Sequence, residues 1–314
     1  MASIREVAKL AHVAPSTVSR ALNGSGYVSE KSKNKIKKAV EELDYIPNQW
    51  IRNLYKKRTG IIGVMTPDII HPYFSTLWNY LEAELDQYGY NVVICNTRGN
   101  QDKEREYLDT LERNLFDGLI VGSAFLSDEY YMNIEKPIIS LDRIIPLVTS
   151  DHHQGGILAG ELFLEKGCKK VMCFSDPTRM ELASADSARA LIDVMEKHNR
   201  EVIIESFQWE EVINYQLCMK RTRTLLDQYP DVDGIMALDL CAAAFLKTEK
   251  NKKILAYDGT YVTDFNYYSI DSIVQDAKKV AKESVNMLIK LINDQPLKKR
   301  EVLVPVKYKK GDTL

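Results

Sequence analysis

Residues 3–23 read SIREVAKLAHVAPSTVSRALN, and this stretch decides how the chain begins to fold. Ser3 and Glu6 have the spacing of a capping box, in which each side chain satisfies a free backbone amide at the start of a helix. Apolar residues then keep helical spacing until His12 and Val13, where it breaks. The stretch therefore predicts a first helix that starts beside Ser3 and ends at a short turn.

A second helix is expected directly after that turn. Pro15 suits its first position, because the amide that proline lacks would have no partner there, and Val18 and Leu22 supply a buried side. Two short helices joined by a tight turn are typical of a helix-turn-helix, whose second helix lies in the major groove of DNA. An ordinary helical hairpin is the alternative. The DNA contacts predicted for this segment are Ser16 and Arg20 at base edges, Ser19 and Asn23 at phosphates, and Ser3, Pro15 and Thr17 beside them.

The distribution of charge favours DNA over the hairpin. Residues 1–60 carry twelve Lys and Arg against five Asp and Glu, a net charge of +7, whereas the rest of the chain carries 30 against 39, a net charge of −9. Five of the lysines lie between Lys31 and Lys38, at the start of a predicted third helix. A basic segment on an acidic body is what neutralisation of phosphates requires, and a merely solvated helix face more often mixes signs.

The order of these residues resembles the LacI/GalR family of bacterial repressors. The match covers residues 13–23, the run LDYIPN at 43–48 and the segment up to Leu54, and it continues more loosely to nearly the end of the chain. The resemblance implies a homodimer on double-stranded operator DNA. It also implies a hinge helix that forms on DNA, with Leu54 in the minor groove, although Trp50 and Ile51 depart from the usual hinge pattern. The hinge residues expected to contact DNA are Asn48, Arg52, Leu54 and Tyr55.

The remaining composition is that of a globular protein. The sequence is 45% hydrophobic and 27% charged, which is typical of a globular protein. At 314 residues the chain is too long to fold around one ordinary core. The sequence shows neither a signal peptide nor an apolar run long enough to span a bilayer, and its five cysteines are odd in number without a Cys-x-x-Cys pair. We therefore expect a cytoplasmic protein with reduced thiols, and a periplasmic sugar receptor becomes a weaker alternative.

After residue 60, short apolar runs alternate with amphipathic helices, which predicts parallel sheets covered on both faces. The predicted strands are 61–65, 91–95, 118–121, 138–141, 170–174, 202–206, 234–238, 253–257 and 302–308. Helices are expected between them, including 212–228, and a last helix at 277–293. The predicted fold is a small all-α head followed by two Rossmann-like lobes of periplasmic-binding-protein type. The domains are a helix-turn-helix at 1–46, a hinge and linker at 47–59, and an effector-binding and dimerisation domain at 60–314.

The usual catalytic motifs are missing from the sequence. It holds no Gly-x-Ser-x-Gly, no phosphate loop, no Gly-x-Gly-x-x-Gly after a strand and no His-Glu-x-x-His. The adjacent His152 and His153 would point in different directions, which argues against a shared metal. We therefore predict a binding protein that is not an enzyme and that needs neither a metal nor another cofactor.

Polar and aromatic residues at predicted strand ends favour a sugar site. Carboxylates and amides bind hydroxyls, and an aromatic ring covers the apolar face of a sugar. The loop after the first strand carries Asp68 and His71 as well as aromatic residues. Family positions imply effector contacts at Tyr73, Phe74, Asp142, Trp209, Asp239, Asp258 and Gln275, and the loop after the third strand adds Ser123. Trp209 could equally be core filling, and the aspartates could be helix caps.

Two departures from the family pattern leave the effector open. Ser187 stands where the family often has Arg, so Arg179 or Arg189 is a candidate substitute, and Leu238 stands where Asn is usual. The runs IISLDR at 138–143 and VTSD at 148–151 look most like sucrose-operon or β-fructoside repressors. The expected function is repression of a carbohydrate operon, relieved by a small sugar or sugar phosphate between the lobes. A catabolite-control regulator with a phosphoprotein corepressor is the alternative.

Overall fold

The computed structural model describes residues 2–23, 26–45, 58–123, 125–143, 145–175, 182–265 and 269–314. These residues divide into two compact units, Met1–Thr59 and Gly60–Leu314. The predicted hinge contacts Asn48, Arg52, Leu54 and Tyr55 lie outside the described residues, and so does Arg179.

The described residues of the first unit form three helices, α1 (Ile4–Ala11), α2 (Pro15–Asn23) and α3 (Glu30–Glu42). The Ser3–Glu6 capping box starts α1 as predicted, since the Glu6 amide donates to Ser3 Oγ and the Ser3 amide donates to Glu6 Oε2. His12 ends that helix in the left-handed region, with φ of 53°, and this residue makes the turn. Val7, Val18 and Ile36, one from each helix, meet in the small core. The helix-turn-helix prediction is confirmed.

The part of the second unit that the structure describes forms two six-stranded sheets with helices between their strands. The strands are β1 (Ile61–Thr66), β2 (Asn91–Asn96), β3 (Gly118–Val121), β4 (Ile138–Ser140), β5 (Leu147–Ser150), β6 (Lys170–Phe174), β7 (Glu201–Glu205), β8 (Gly234–Leu238), β9 (Lys253–Asp258), β10 (Ser272–Val274), β11 (Glu301–Val304) and β12 (Lys307–Lys309). The helices are α4 (Pro72–Asp86), α5 (Gln101–Glu112), α6 (Asp128–Met132), α7 (His152–Glu165), α8 (Asp186–Lys197), α9 (Trp209–Ile213), α10 (Tyr215–Gln228), α11 (Asp239–Thr248) and α12 (Ala277–Ile292).

Each sheet forms one lobe. The first has the order β11-β5-β4-β3-β1-β2 and is parallel throughout. The second has the order β12-β10-β9-β8-β6-β7 and is parallel except where β12 pairs with β10. The inner strands of both sheets are largely buried, as coverage of both faces requires, whereas the edge strands β2, β7, β11 and β12 are partly exposed. The predicted fold class, a helical head and two parallel α/β lobes, is confirmed.

The chain crosses between the lobes three times, after β5, after β10 and after β11. The second crossing returns α12 to the first lobe, where Val280, Ala281 and Leu288 pack with Leu77 and Leu81 of α4. Each lobe is therefore completed by a segment that is distant in sequence.

Two predicted elements differ from those observed. The single strand expected at 302–308 is two strands, β11 and β12, in different sheets, because Pro305 lacks the amide a continuous ladder needs. The helix expected at 212–228 is divided at Asn214, whose side chain accepts from the amides of Gln216 and Leu217 and starts α10. The helix α11 and the strands β5 and β10 were missing from the prediction.

The five cysteines are all buried and form no disulfide bond. In the described parts of the chain, no helix is long and apolar enough to cross a membrane.

Candidate functional site

The outer face of α2 is the first candidate site. Pro15, Ser16 and Arg20 are exposed on it, while Thr17 and Ser19 are half-buried beside Val18, which is fully buried. Asn23 is the last residue of the helix. Ser3, by contrast, is engaged in the capping box, with its hydroxyl 2.9 Å from Glu6 Oε2. This face can present a hydroxyl and a guanidinium to base edges, which is the chemistry predicted for it.

The five lysines between Lys31 and Lys38 are exposed on α3. Among them, Lys33 pairs with Glu30 one turn earlier. The first unit therefore carries its positive charge at the surface, where it can act on a polyanion.

A cavity of about 300 Å³ between the two lobes is the second candidate site. The first lobe contributes the loop after β1 with the start of α4, and the loops after β3 and β4. The second lobe contributes the loops after β6 and β7 and the ends of β8 and β9. Ligands of doubly wound sheets bind outside the carboxyl ends of the strands, and this cavity lies there.

Seven of the ten predicted effector residues line the cavity, namely Tyr73, Phe74, Ser123, Asp142, Trp209, Asp258 and Gln275. Two do not. Arg189 pairs with Asp186 on its own helix, and Asp239 is 2% exposed beneath the cavity wall. Ser187 and Leu238, which replace the family Arg and Asn, do line the cavity.

Asp239 fixes the loop that follows β9. Its carboxylate accepts from the Gly259 amide at 3.1 Å and from the Thr260 amide and hydroxyl, each at 2.6 Å. Burial nevertheless raises the pKa of Asp239 to about 6. Its observed contacts are those of a residue that holds Asp258 and the following turn in place.

Asp258 is held in an unusual backbone conformation at the cavity floor. Its φ of 121° lies in a region that side chains rarely adopt, and such strain is typical of functional sites. Its Oδ1 accepts from Gln275 Nε2 at 2.7 Å. Burial, with the neighbouring Asp239 charge as a second cause, raises the pKa of Asp258 well above its usual range.

Asp142 joins the lobes directly. Its carboxylate, after β4, accepts from the Ser184 amide at 2.8 Å and the Ser184 hydroxyl at 3.1 Å on the second lobe. Arg143 next to it is turned away and pairs with Asp128. The Asp142 contact therefore holds one side of the cavity closed.

Aromatic side chains make up much of the lining, and several were not predicted as contacts. His71 stacks on Trp209, with ring centroids 5.2 Å apart and an interplanar angle of 26°. Phe174, Phe207 and Tyr257 add further rings. In the sequence, His71 was identified only as a strand-end residue. Its neighbour Pro72 was a signal that a helix begins there, which places His71 at the junction of β1 and α4. Trp209 lines the cavity and is half-buried, and its contact with an effector stays a prediction.

The described ranges contain no group of three or more His, Cys, Asp or Glu side chains arranged to hold a metal ion. The cavity instead combines aromatic faces with buried carboxyl, hydroxyl and amide groups. This set can bind a small polyhydroxylated molecule by stacking and hydrogen bonds.

Comparison with known proteins finds relatives of both parts of the chain. Residues 3–48 match the family "Bacterial regulatory proteins, lacI family", and residues 59–244 match "Periplasmic binding proteins and sugar binding domain of LacI family". The ribose operon repressor of Halalkalibacterium halodurans is 34% identical over 98% of this chain and 95% of its own. The sucrose operon repressor of Streptococcus mutans is 33% identical over 100% of both chains. The crystal structure of the lac repressor dimer bound to operator and the anti-inducer ONPF superposes with a TM-score of 0.86 at 23% identity, covering 99% of this chain and 98% of that one.

Proposed function

Because this chain belongs to the LacI family of bacterial regulatory proteins, we propose that it represses a carbohydrate-use operon and is released from its operator by a small sugar. The observation that carries the proposal is the combination, in one chain, of a basic helix-turn-helix with an aromatic and carboxyl-lined cavity between two lobes. The protein acts in the cytoplasm as a homodimer, and it binds the sugar without converting it.

The DNA half of the proposal assigns α2 to the major groove. Ser16 and Arg20 contact base edges, and Ser19 and Asn23 contact phosphates on either side. The hinge residues Asn48, Arg52, Leu54 and Tyr55 contact the operator centre between two such heads. A dimer presents its two heads to a pseudopalindromic operator, as the symmetry of such sites requires.

The effector half assigns the sugar to the cavity between the lobes. Residues from both lobes line it, so a bound sugar favours one relative arrangement of the lobes over another. A ligand shifts such an equilibrium only by its difference in affinity for the two arrangements. Coupling of about 1–3 kcal/mol, a factor of roughly 5–150 in DNA affinity, is typical.

The test is a titration of the purified protein against a fluorescent duplex from its own upstream region, followed by anisotropy. We expect tight binding with two chains per duplex, and at least fivefold weaker binding when one of ribose, sucrose or fructose is added. Arg20→Ala removes one base contact in each half-site, so it should reduce the preference for the operator over a scrambled duplex by about 1–3 kcal/mol per half-site. Chromatography of the recovered sugar should show it unchanged. Binding that no sugar weakens would contradict the effector half alone.

A further inference from the structure

Three buried polar atoms in the cavity between the lobes have no hydrogen-bond partner among the described residues. They are His71 Nδ1, Asp258 Oδ2 and Trp209 Nε1. Native proteins rarely leave such groups unpaired, because each costs about 1–3 kcal/mol when buried without a partner. Three in one cavity indicate that a ligand supplies the partners.

The side chains that carry these three atoms are neighbours, because His71 lies beside both Trp209 and Asp258. His71, on the first lobe, is 4% exposed and stacks on Trp209 of the second lobe. Its Nε2 lies 4.0 Å from Asp258 Oδ2, which is beyond hydrogen-bond distance. The other carboxyl oxygen of Asp258 is already bonded to Gln275. A molecule that reaches Asp258 Oδ2 beside the stacked rings therefore also reaches the imidazole.

We propose that His71 is a specificity-determining residue of the effector site, and that its Nδ1 and Asp258 Oδ2 hold hydroxyl groups of one unphosphorylated sugar from opposite lobes. The inference rests on the proposed function and names the class of its ligand.

The charge of the described lining favours a ligand without a phosphate. The described lining includes two carboxyl side chains, Asp142 and Asp258, and no Lys or Arg, since Arg143 and Arg189 are paired elsewhere. Burial lowers the pKa of His71 to about 4, so the imidazole is neutral near pH 7 and gives a phosphate no positive charge. A phosphate beside buried carboxyls would be repelled if they are ionised.

A hydroxyl group, in contrast, fits either protonation state of the site. It donates to an unprotonated imidazole nitrogen or a carboxylate, and it accepts from a ring N–H or a protonated carboxyl. Trp209 Nε1 donates only, and a third sugar oxygen can accept from it. The ligand therefore pairs every group that the protein alone leaves unpaired.

Two substitutions of His71 separate its nitrogen from its ring. In His71→Asn the amide can occupy the position of Nδ1 but no aromatic ring stacks on Trp209, whereas His71→Phe keeps a stacking ring and removes both nitrogens. Calorimetry would use D-ribose, D-fructose and sucrose, with ribose 5-phosphate and fructose 6-phosphate as the charged counterparts. His198→Phe makes the same change at an exposed histidine and serves as the control.

We expect the wild type to bind one unphosphorylated sugar at least tenfold more tightly than its phosphate. His71→Phe should weaken that binding at least tenfold, His71→Asn should stay within about threefold of the wild type, and His198→Phe should not change it. Equal losses of sugar affinity in His71→Phe and His71→Asn, or no loss in His71→Phe, would overturn the role of His71 and leave the repressor function standing. Preference for a phosphate would overturn the ligand class. Operator binding without binding of any sugar in the panel would overturn this inference and the effector half of the function together.

Thermal unfolding of each variant shows whether it folds. If a variant does not fold, mono-deoxy analogues of the bound sugar test the same contacts in the wild type. A site built around hydroxyls should reject at least one analogue by a hundredfold or more. Equal affinity for all the analogues would overturn the proposal.

Discussion

His152 is a buried histidine whose charge state is set by its surroundings. It is the first residue of α7 and is 8% exposed. Its Nδ1 lies 2.9 Å from the Tyr257 hydroxyl, and the two rings stack with centroids 5.8 Å apart. Burial lowers the pKa of His152 to about 4, although Asp186 and Asp151 oppose the shift. The imidazole is therefore neutral at a pH where an exposed histidine is half protonated.

This burial predicts a loss of stability in mild acid. Between pH 6.5 and about 4, the unfolded chain binds a proton at residue 152 that the folded chain does not, so stability falls as pH falls. The pKa difference corresponds to about 3 kcal/mol. Urea unfolding at pH 7 and pH 4 should show His152→Phe gaining that amount relative to the wild type. A difference between the two proteins that does not change with pH would contradict the prediction.

The wild type must be compared with His152→Phe because Asp239 changes stability with pH in the opposite direction. Its pKa is raised to about 6, so the folded chain keeps a proton that the unfolded chain releases, and stability from this residue rises as pH falls from 6. That contribution is present in both proteins and cancels in their difference.

At the scale of elements, α7 and α8 pack closely through two glycines of α7. A Cβ on Gly156 would lie against the backbone carbonyl of Ser187 and 2.8 Å from Ala190 Cβ. A Cβ on Gly160, one turn later, would lie 2.6 Å from Val194 Cγ1. The end of a flexible side chain can move aside for an added methyl group, but the backbone of α8 cannot.

We therefore expect Gly156→Ala to destabilise the second unit by about 1–3 kcal/mol, because α7 and α8 must move apart. Ser187 lines the cavity, so sugar affinity should fall as well. Chemical denaturation and calorimetry measure the two effects. Glu161→Ala, at an exposed position of the same helix, is the control and should change neither. Unchanged stability in Gly156→Ala would show that the helices adjust freely.

At the scale of the whole molecule, charge separates the two units. Residues 1–60 carry a net charge of +7 and the rest a net charge of −9. Each phosphate that a protein neutralises releases condensed counterions, which makes DNA affinity fall with salt. The acidic body cannot contribute to this attraction, so the basic head should account for it.

Replacing Lys31 and Lys35 of α3 with Gln tests this division of charge. The double variant should bind every duplex more weakly, whatever its sequence, and each lost phosphate contact should reduce the slope of log K against log salt by about 0.9. Lys278 and Lys282 of α12 have the same spacing and exposure, and replacing them with Gln is the matched control. Anisotropy between 50 and 200 mM salt measures the slopes. Equal losses in both variants would contradict a role specific to the head.

Local signals were enough to predict much of the fold from sequence. The capping box at Ser3, the break at His12 and Pro15 at the start of α2 each depend on neighbours within four residues, and all three are found. Most of the buried strands of both lobes, although not β5 and β10, could be predicted because apolar runs between helices occur in few architectures. Seven of the predicted effector positions reach the cavity because strand ends of parallel sheets meet at one edge, and their contact with a ligand remains a prediction.

Other features were decided only by the tertiary structure, because they depend on residues far apart in the chain. Pro305 is a local signal for a break, but no local pattern shows that the two strands join different sheets, since β11 pairs with β5 and β12 with β10. The Asp239 carboxylate accepts hydrogen bonds from the amides of Gly259 and Thr260, about twenty residues away, and does not line the cavity. His71 and Asp258 come together across two lobes from positions 187 residues apart. The sequence determined which segments fold and which face they bury, and long-range packing determined which polar groups are left without a partner.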